Sequence, residues 1–123
     1  MSVNLFLELS HAIIGACFNV HNYLGACLPE AVYHRSLEIE LECQGNKFAS
    51  ERYFPVHYKG QLAGQFFADL VVKDKIILEL KSTLIIKEIY RTQLLNYLKL
   101  SGLRVGYIIN FYCEKVEFER FVV

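Results

Sequence analysis

The sequence predicts an α/β fold: a single three-layer domain over residues 1–123, with a mixed β-sheet of about five strands flanked by helices in the order ααβββαββ. Three observations predict it. Apolar residues recur at three- and four-residue spacing over 4–24, 29–44 and 86–101, the period of a helix with one buried face. The period shortens to that of strands over 51–59, 62–72, 75–81, 105–111 and 115–122. Gly25, Gly45 and Gly102 stand where the helical runs stop, as helix-terminating residues do.

In the first helix the inward stripe is Leu5, Leu9, Ile13, Cys17, Val20 and Leu24. Pro29 is tolerated in a first helical turn, so the second helix starts there, with Val32, Tyr33, Leu37 and Leu41 inward and Gly45-Asn46 as its end. The next three runs turn around Lys59-Gly60-Gln61 and Lys73-Asp74-Lys75, which predicts an antiparallel meander. Ile86, Ile89, Tyr90, Leu94, Tyr97 and Leu98 restore helical spacing before two closing strands. Neither a repeat nor a low-complexity segment interrupts this order.

Composition narrows the function classes. A hydrophobic fraction of 54% with 21% charged residues and two prolines excludes a disordered chain, and no apolar run reaches the ~18–20 residues of a membrane span. Met1-Ser2-Val3-Asn4 lacks the basic and apolar regions of a secretory signal, so a cytoplasmic location is expected. Cys17, Cys27, Cys43 and Cys113 show no Cys-x-x-Cys spacing, which argues against a local zinc or iron–sulfur motif; most are expected to be buried, reduced thiols. Thirteen basic and thirteen acidic residues cancel, so any contact with nucleic acid must use a local patch.

The chemistry lies in two nearly apolar runs, Phe66-Phe67-Ala68-Asp69-Leu70-Val71-Val72 and Ile76-Ile77-Leu78-Glu79-Leu80-Lys81. Charges buried on such strands are costly unless paired, hydrogen-bonded or metal-bound. Strict alternation puts Phe67, Asp69 and Val71 on one face and Phe66, Ala68, Leu70 and Val72 on the other; on the next strand Ile77, Glu79 and Lys81 share a face. Matching the apolar faces requires an odd connection, most simply Lys73-Asp74-Lys75, and that register sets Asp69 opposite Glu79. Opposed carboxylates repel unless a cation lies between them. Hard oxygen ligands suit Mg²⁺ or Mn²⁺, and Lys81 lies on the same face within reach of a phosphate or an attacking water. The expected chemistry is therefore phosphodiester hydrolysis, with Lys81 as base or as a stabiliser of transition-state charge; a base role would require its pKa to fall well below the ordinary ~10.4. The competing reading is an ordinary solvated strand face.

Nearly the full chain resembles the GxxExxY protein family, within the PD-(D/E)XK (restriction-endonuclease-like) nuclease superfamily. The matching stretches are Val20-His21-Asn22-Tyr23-Leu24-Gly25, Leu28-Pro29-Glu30-Ala31-Val32-Tyr33, Tyr58-Lys59-Gly60, Ala68-Asp69-Leu70, Leu78-Glu79-Leu80-Lys81, Gln93-Leu94-Leu95-Asn96-Tyr97-Leu98 and Ile109-Asn110-Phe111. The resemblance implies a restriction-endonuclease-like fold, metal and catalytic positions at Asp69, Glu79 and Lys81, an additional helical acid at Glu30, and a Gln-x-x-x-Tyr element at Gln93 and Tyr97. Cys27 departs from it where the naming motif begins with Gly, Ala68 where the superfamily signature has proline, and Tyr90 where related sequences often show His.

Two readings stand beside each supporting residue. Glu30 in a first helical turn complements the helix dipole, yet it also begins the inward stripe continued by Tyr33, Leu37 and Leu41, as a metal ligand would. Gln93 is either a core glutamine bonded to backbone or a group orienting a metal-bound water, with Tyr97 packing on a base or sugar. Lys87 and Arg91 form a basic helix edge that is either solvated or substrate-binding. His21 is expected to contact carbonyls at its helix end. The many aromatics exceed what one small core covers, and an exposed last strand would need protection, so a homodimer is expected. Together these readings favour a metal-dependent nuclease for DNA ahead of RNA, with a protein partner to deliver substrate; the alternative is a non-catalytic nucleic-acid- or protein-binding module.

Overall fold

Helices α1 (Leu7–Leu24) and α2 (Glu30–Cys43) pack on one face of a five-stranded sheet and α3 (Glu88–Ser101) on the other, in a computed structural model that describes residues 6–123. The predicted start of the first helix at residue 4, and its Leu5, lie outside the described residues. The strands β1 (Phe48–Tyr58), β2 (Gln61–Val72), β3 (Ile76–Lys81), β4 (Val105–Asn110) and β5 (Glu117–Val122) lie side by side in chain order. The element order and mixed sheet are those the sequence predicts. β1, β2 and β3 form the antiparallel meander, β3 and β4 run parallel, and β5 returns antiparallel to β4. Parallel neighbours need a crossover, which α3 supplies.

Element ends differ from the periodic reading where local chemistry intervenes. Pro29, with ψ 147, is extended and caps α2 rather than entering it, so the helix begins at Glu30. Lys87, with ψ 153, holds the chain extended until Glu88, and Leu84 and Ile85 precede it on the surface. β1 begins at Phe48, which pairs with Val72, so its hairpin is longer than expected. The stripe of α2 buries Tyr33, Leu37 and Leu41 but leaves Val32 exposed.

Two cores sandwich the sheet. Ile13, Cys17, Tyr33, Leu37 and Leu41 of α1 and α2 cover Leu70, Val72, Ile76, Leu78, Leu80 and Ile109. On the other face Leu94 and Leu98 of α3 cover Phe54, Phe66, Ala68, Val71, Ile77 and Ile108. Gly106 lets α3 approach β4: a Cβ there would lie 3.0 Å from Leu94 Cδ1. β3 is therefore the central strand, buried from Ile76 to Leu80, and it carries Glu79 into the interior at 7% exposure.

Candidate active site

The three-residue loop Lys73, Asp74 and Lys75 forms as predicted, with Val72 opposite Ile76 and Leu70 opposite Leu78. Two residues in left-handed conformation, Lys73 and Asp74, turn the chain, and Arg52 pairs with Asp74 across the hairpin. The register continues to place Asp69 against Glu79, but there the side chains take over the ladder. The Asp69 N–H donates to Glu79 Oε2 at 3.0 Å, and the Leu80 N–H donates to Asp69 Oδ2 at 2.8 Å.

This exchange corrects the alternation expected along β2. Phe66 and Ala68 face α3 together with Val71, whereas Leu70 and Val72 face α1 and α2. The parity of the strand therefore switches around Asp69. Glu51, its neighbour on β1, sits at φ 49, a left-handed conformation that non-glycine residues adopt at a cost of about 1 kcal/mol or more.

Glu30 reaches the same place from the start of α2. Tyr33, one turn later and fully buried, fixes the entry to that helix: its hydroxyl donates to the Gly25 carbonyl at 2.6 Å and accepts from the Leu28 N–H at 3.2 Å. Ser82 Oγ, just beyond Lys81, donates to the Leu28 carbonyl at 2.5 Å. Asn110, fully buried and opposite Lys81 on β4, bonds both the N–H and the carbonyl of Thr83 and also reaches Glu117 and the Tyr112 N–H. These contacts tie the end of β3 to the loop before Glu30.

Burial raises the pKa of all three acids; the Asp69 charge adds to the rise at Glu79 and Glu30, and the Glu51 charge adds to it at Asp69. Burial, then the Asp69 charge, pushes Glu79 up to about 8, with Glu30 adding to the rise. Burial also raises Asp69 despite the Leu80 N–H, and burial followed by Asp69 raises Glu30. Lys81 opposes all three rises, and His34 opposes those of Asp69 and Glu30. His34 and Glu51 thus belong to the site's electrostatics and escaped the sequence reading; the i, i+4 spacing of Glu30 and His34 on α2 was the available signal.

Lys81 places its Nζ 4.2 Å from the centre of the Tyr90 ring, a cation–π contact from β3 to α3. Tyr97 stacks on Phe66, ring centroids 4.1 Å apart, and its hydroxyl pKa is raised by burial and then by Glu79 and Asp69. Gln93 is exposed on α3 rather than enclosed in the core, between Tyr90 and Tyr97 along the helix. Lys87 is likewise exposed. Arg91 is engaged in ion pairs: it clamps Glu119 of β5 through Nε at 2.6 Å and Nη2 at 2.7 Å, with Glu88 at 3.0 Å. A guanidinium so neutralised is a structural brace. His21 Nε2 donates to the Cys113 carbonyl at 2.9 Å, a carbonyl contact as expected, though to a loop across the domain rather than to its own helix end.

The donor set suits a hard divalent cation: carboxylates from two strands and one helix, whose mutual repulsion a positive ion would relieve. The ladder-replacing hydrogen bonds use only one oxygen of each strand acid, Oδ2 and Oε2. As placed, however, no three acid, histidine or cysteine side chains among the described residues gather closely enough to enclose an ion. Asp69 and Glu79 are joined across β2 and β3 by these hydrogen bonds, and Glu30 is near enough for the Asp69 charge to raise its pKa.

A mixed sheet with helices on both faces and opposed strand acids at its centre defines a class, and the family model agrees. The PD-(D/E)XK nuclease superfamily model matches residues 7–121, so the chain belongs to that superfamily and has its restriction-endonuclease-like fold. Among solved structures, that of SSO0001 superposes with a TM-score of 0.60 at 17% identity; the match covers 98% of this chain and 60% of the other. At that identity the likeness is one of fold. A search of curated proteins finds none that matches.

Proposed function

We propose that the protein is a metal-dependent nuclease that hydrolyses phosphodiester bonds of DNA, less readily of RNA. The observation that carries this reading is the buried, mutually repelling pair Asp69 and Glu79, with Lys81 one side chain further along the same strand. Asp69, Glu79 and Glu30 would hold Mg²⁺ or Mn²⁺, which when bound supplies Lewis acidity toward the phosphate and a more acidic water. Lys81 places its charge beside the acids and orients the attacking water or the phosphate oxygens. Tyr90 and Tyr97 bound this space from α3, and Tyr97 offers its hydroxyl to the substrate edge. Exposed Lys87 lies on the approach, and Gln93 reaches a metal-bound water or phosphate only if its side chain turns inward.

A chain of zero net charge binds polyanions weakly by itself, which supports assisted delivery of substrate by a partner protein. Exposed Tyr53, Tyr58 and Phe67 on the β1–β2 hairpin, beside an open sheet edge, support a homodimer. Among the described residues no helix is long and apolar enough to cross a membrane, in keeping with the proposed cytoplasmic location. The alternative, a non-catalytic binding module that retains the fold, draws on the two backbone N–H groups that donate to Asp69 and Glu79.

The test is cleavage of single- and double-stranded DNA and RNA by purified protein in Mg²⁺ or Mn²⁺. Cleavage that disappears in a folded Lys81→Ala variant supports the nuclease; cleavage retained by that variant overturns it. Nucleic-acid binding without cleavage selects the module.

A further inference from the structure

Of the four cysteines only Cys17 is buried; Cys27 and Cys43 are exposed and Cys113 is half-buried, contrary to the expectation that most are enclosed. Two of these thiols lie on neighbouring segments, and the Cys113 Sγ rests 3.6 Å from the Leu84 carbonyl and 3.9 Å from Glu117 Oε1. The Cys27 N–H donates to the Tyr112 carbonyl at 3.0 Å, and Cys27 Sγ leans on that same carbonyl at 3.6 Å. The backbone hydrogen bond to residue 112 sets the segment that carries Cys27 alongside the one that carries Cys113, the kind of approach a disulfide requires. Burial, Glu117 and the nearby Cys27 sulfur all raise the Cys113 thiol pKa.

The backbone adds an independent observation. Cys27 has φ 66, the left-handed region, in which a glycine would be unstrained and a side chain is not. The side chain kept there at that cost is a thiol aimed at its neighbour's peptide.

We propose that Cys27 and Cys113 form a reversible disulfide that ties the loop before α2 to the loop after β4. The oxidant is hydrogen peroxide. The exposed Cys27 sulfur attacks the peroxide, the O–O bond breaks, and the first water leaves a sulfenic acid on Cys27. The Cys113 sulfur then attacks Cys27 Sγ, the S–O bond breaks, the S–S bond forms, and the Cys113 proton departs in the second water. Two thiols lose two electrons and the peroxide is reduced to two waters. Transient disulfides of this kind are the form expected of redox-responsive proteins in a reducing compartment. The bond would fix the segment between Gly25 and Glu30, already held by Tyr33 and Ser82, yet the proposal stands whether or not the site cleaves nucleic acid.

The experiment treats the reduced full chain with hydrogen peroxide, blocks remaining thiols with an alkylating agent and maps the peptides by mass spectrometry. A linked Cys27–Cys113 peptide in monomeric protein is expected, reversed by dithiothreitol and accompanied by a rise in unfolding temperature. Alkylation of both cysteines after peroxide, intermolecular links through Cys43 alone, or irreversible oxidation of Cys27 without a linked peptide would overturn it. Cys27→Gly, which also relieves the left-handed strain, must fold and lose the peroxide-dependent rise; a retained rise places the effect elsewhere. In Cys113→Ser, dimedone must trap a sulfenic acid on Cys27, and its failure to do so rejects the order of steps.

Discussion

Asp69 and Glu79 face each other across β2 and β3, and each contributes to the other's strand a hydrogen bond that the backbone ladder would otherwise make: Asp69 N–H to Glu79 Oε2, and Leu80 N–H to Asp69 Oδ2. Each acid is thereby solvated by its neighbour's strand while remaining close enough to repel its opposite number. The fold holds two acids together, and their repulsion is expressed as a raised proton affinity at Glu79.

Stability without metal should therefore fall as pH rises. The folded-state pKa of Glu79, about 8, lies above its ordinary 4.5, so between those values the native state binds more protons than the unfolded chain. The folded state is favoured below about pH 4.5 and loses this contribution as pH climbs through 8, by an amount on the order of a few kcal/mol. Urea denaturation at several pH values in a chelator measures it. Glu79→Gln, which keeps an oxygen for the Asp69 N–H, should flatten the profile and stabilise the protein at pH 8; an unchanged slope would place the titration elsewhere.

Divalent cations should act in the opposite direction. Mg²⁺ or Mn²⁺ at ten times its dissociation constant stabilises a folded protein by about 1.4 kcal/mol, and protons compete for the same carboxylates. The unfolding temperature should rise with added metal at pH 8, rise little at pH 5 and return on addition of a chelator. Asp69→Asn should abolish the response, and a full response in that variant would remove Asp69 from the ligand set.

Removal of the Lys81 ammonium should lower cleavage by about 100-fold or more while sparing the fold. Its Nζ lies over Tyr90, so Tyr90→Leu should shift cleavage in the same direction more mildly, and Tyr90→Phe, which keeps the ring face, should resemble the parent protein. Circular dichroism separates these effects from unfolding.

Arg91→Ala should behave as a structural variant. Its guanidinium is held by Glu119 and Glu88, so the unfolding temperature should fall while affinity for DNA oligonucleotides stays unchanged. A loss of DNA affinity with unchanged stability would return Arg91 to the substrate edge.

Tyr33→Phe removes the hydroxyl that joins the Gly25 carbonyl to the Leu28 N–H, in a fully buried position. A cost of about 1–3 kcal/mol is expected from denaturant unfolding, because a buried donor and acceptor both lose a partner. If Glu30 is a ligand, the same variant should also weaken metal binding.

The element order, the mixed sheet, the odd loop at Lys73, Asp74 and Lys75, and the opposition of Asp69 to Glu79 were all determined by the sequence, because hydrophobic periodicity fixes which faces must be buried and a one-residue slip would invert them. Tertiary structure alone decided what alternation cannot encode. The parity switch near Asp69 depends on two side chains replacing backbone partners across strands. The brace from Arg91 to Glu119 joins residues 28 apart, and the contact of Cys27 with the Tyr112 carbonyl joins residues 85 apart, so neither has a local signature. The exposure of Gln93 was likewise a tertiary outcome, because helical spacing fixes an angle on α3 only to within part of a turn, and the packing of Leu94 against Gly106 set how deeply that helix face is covered.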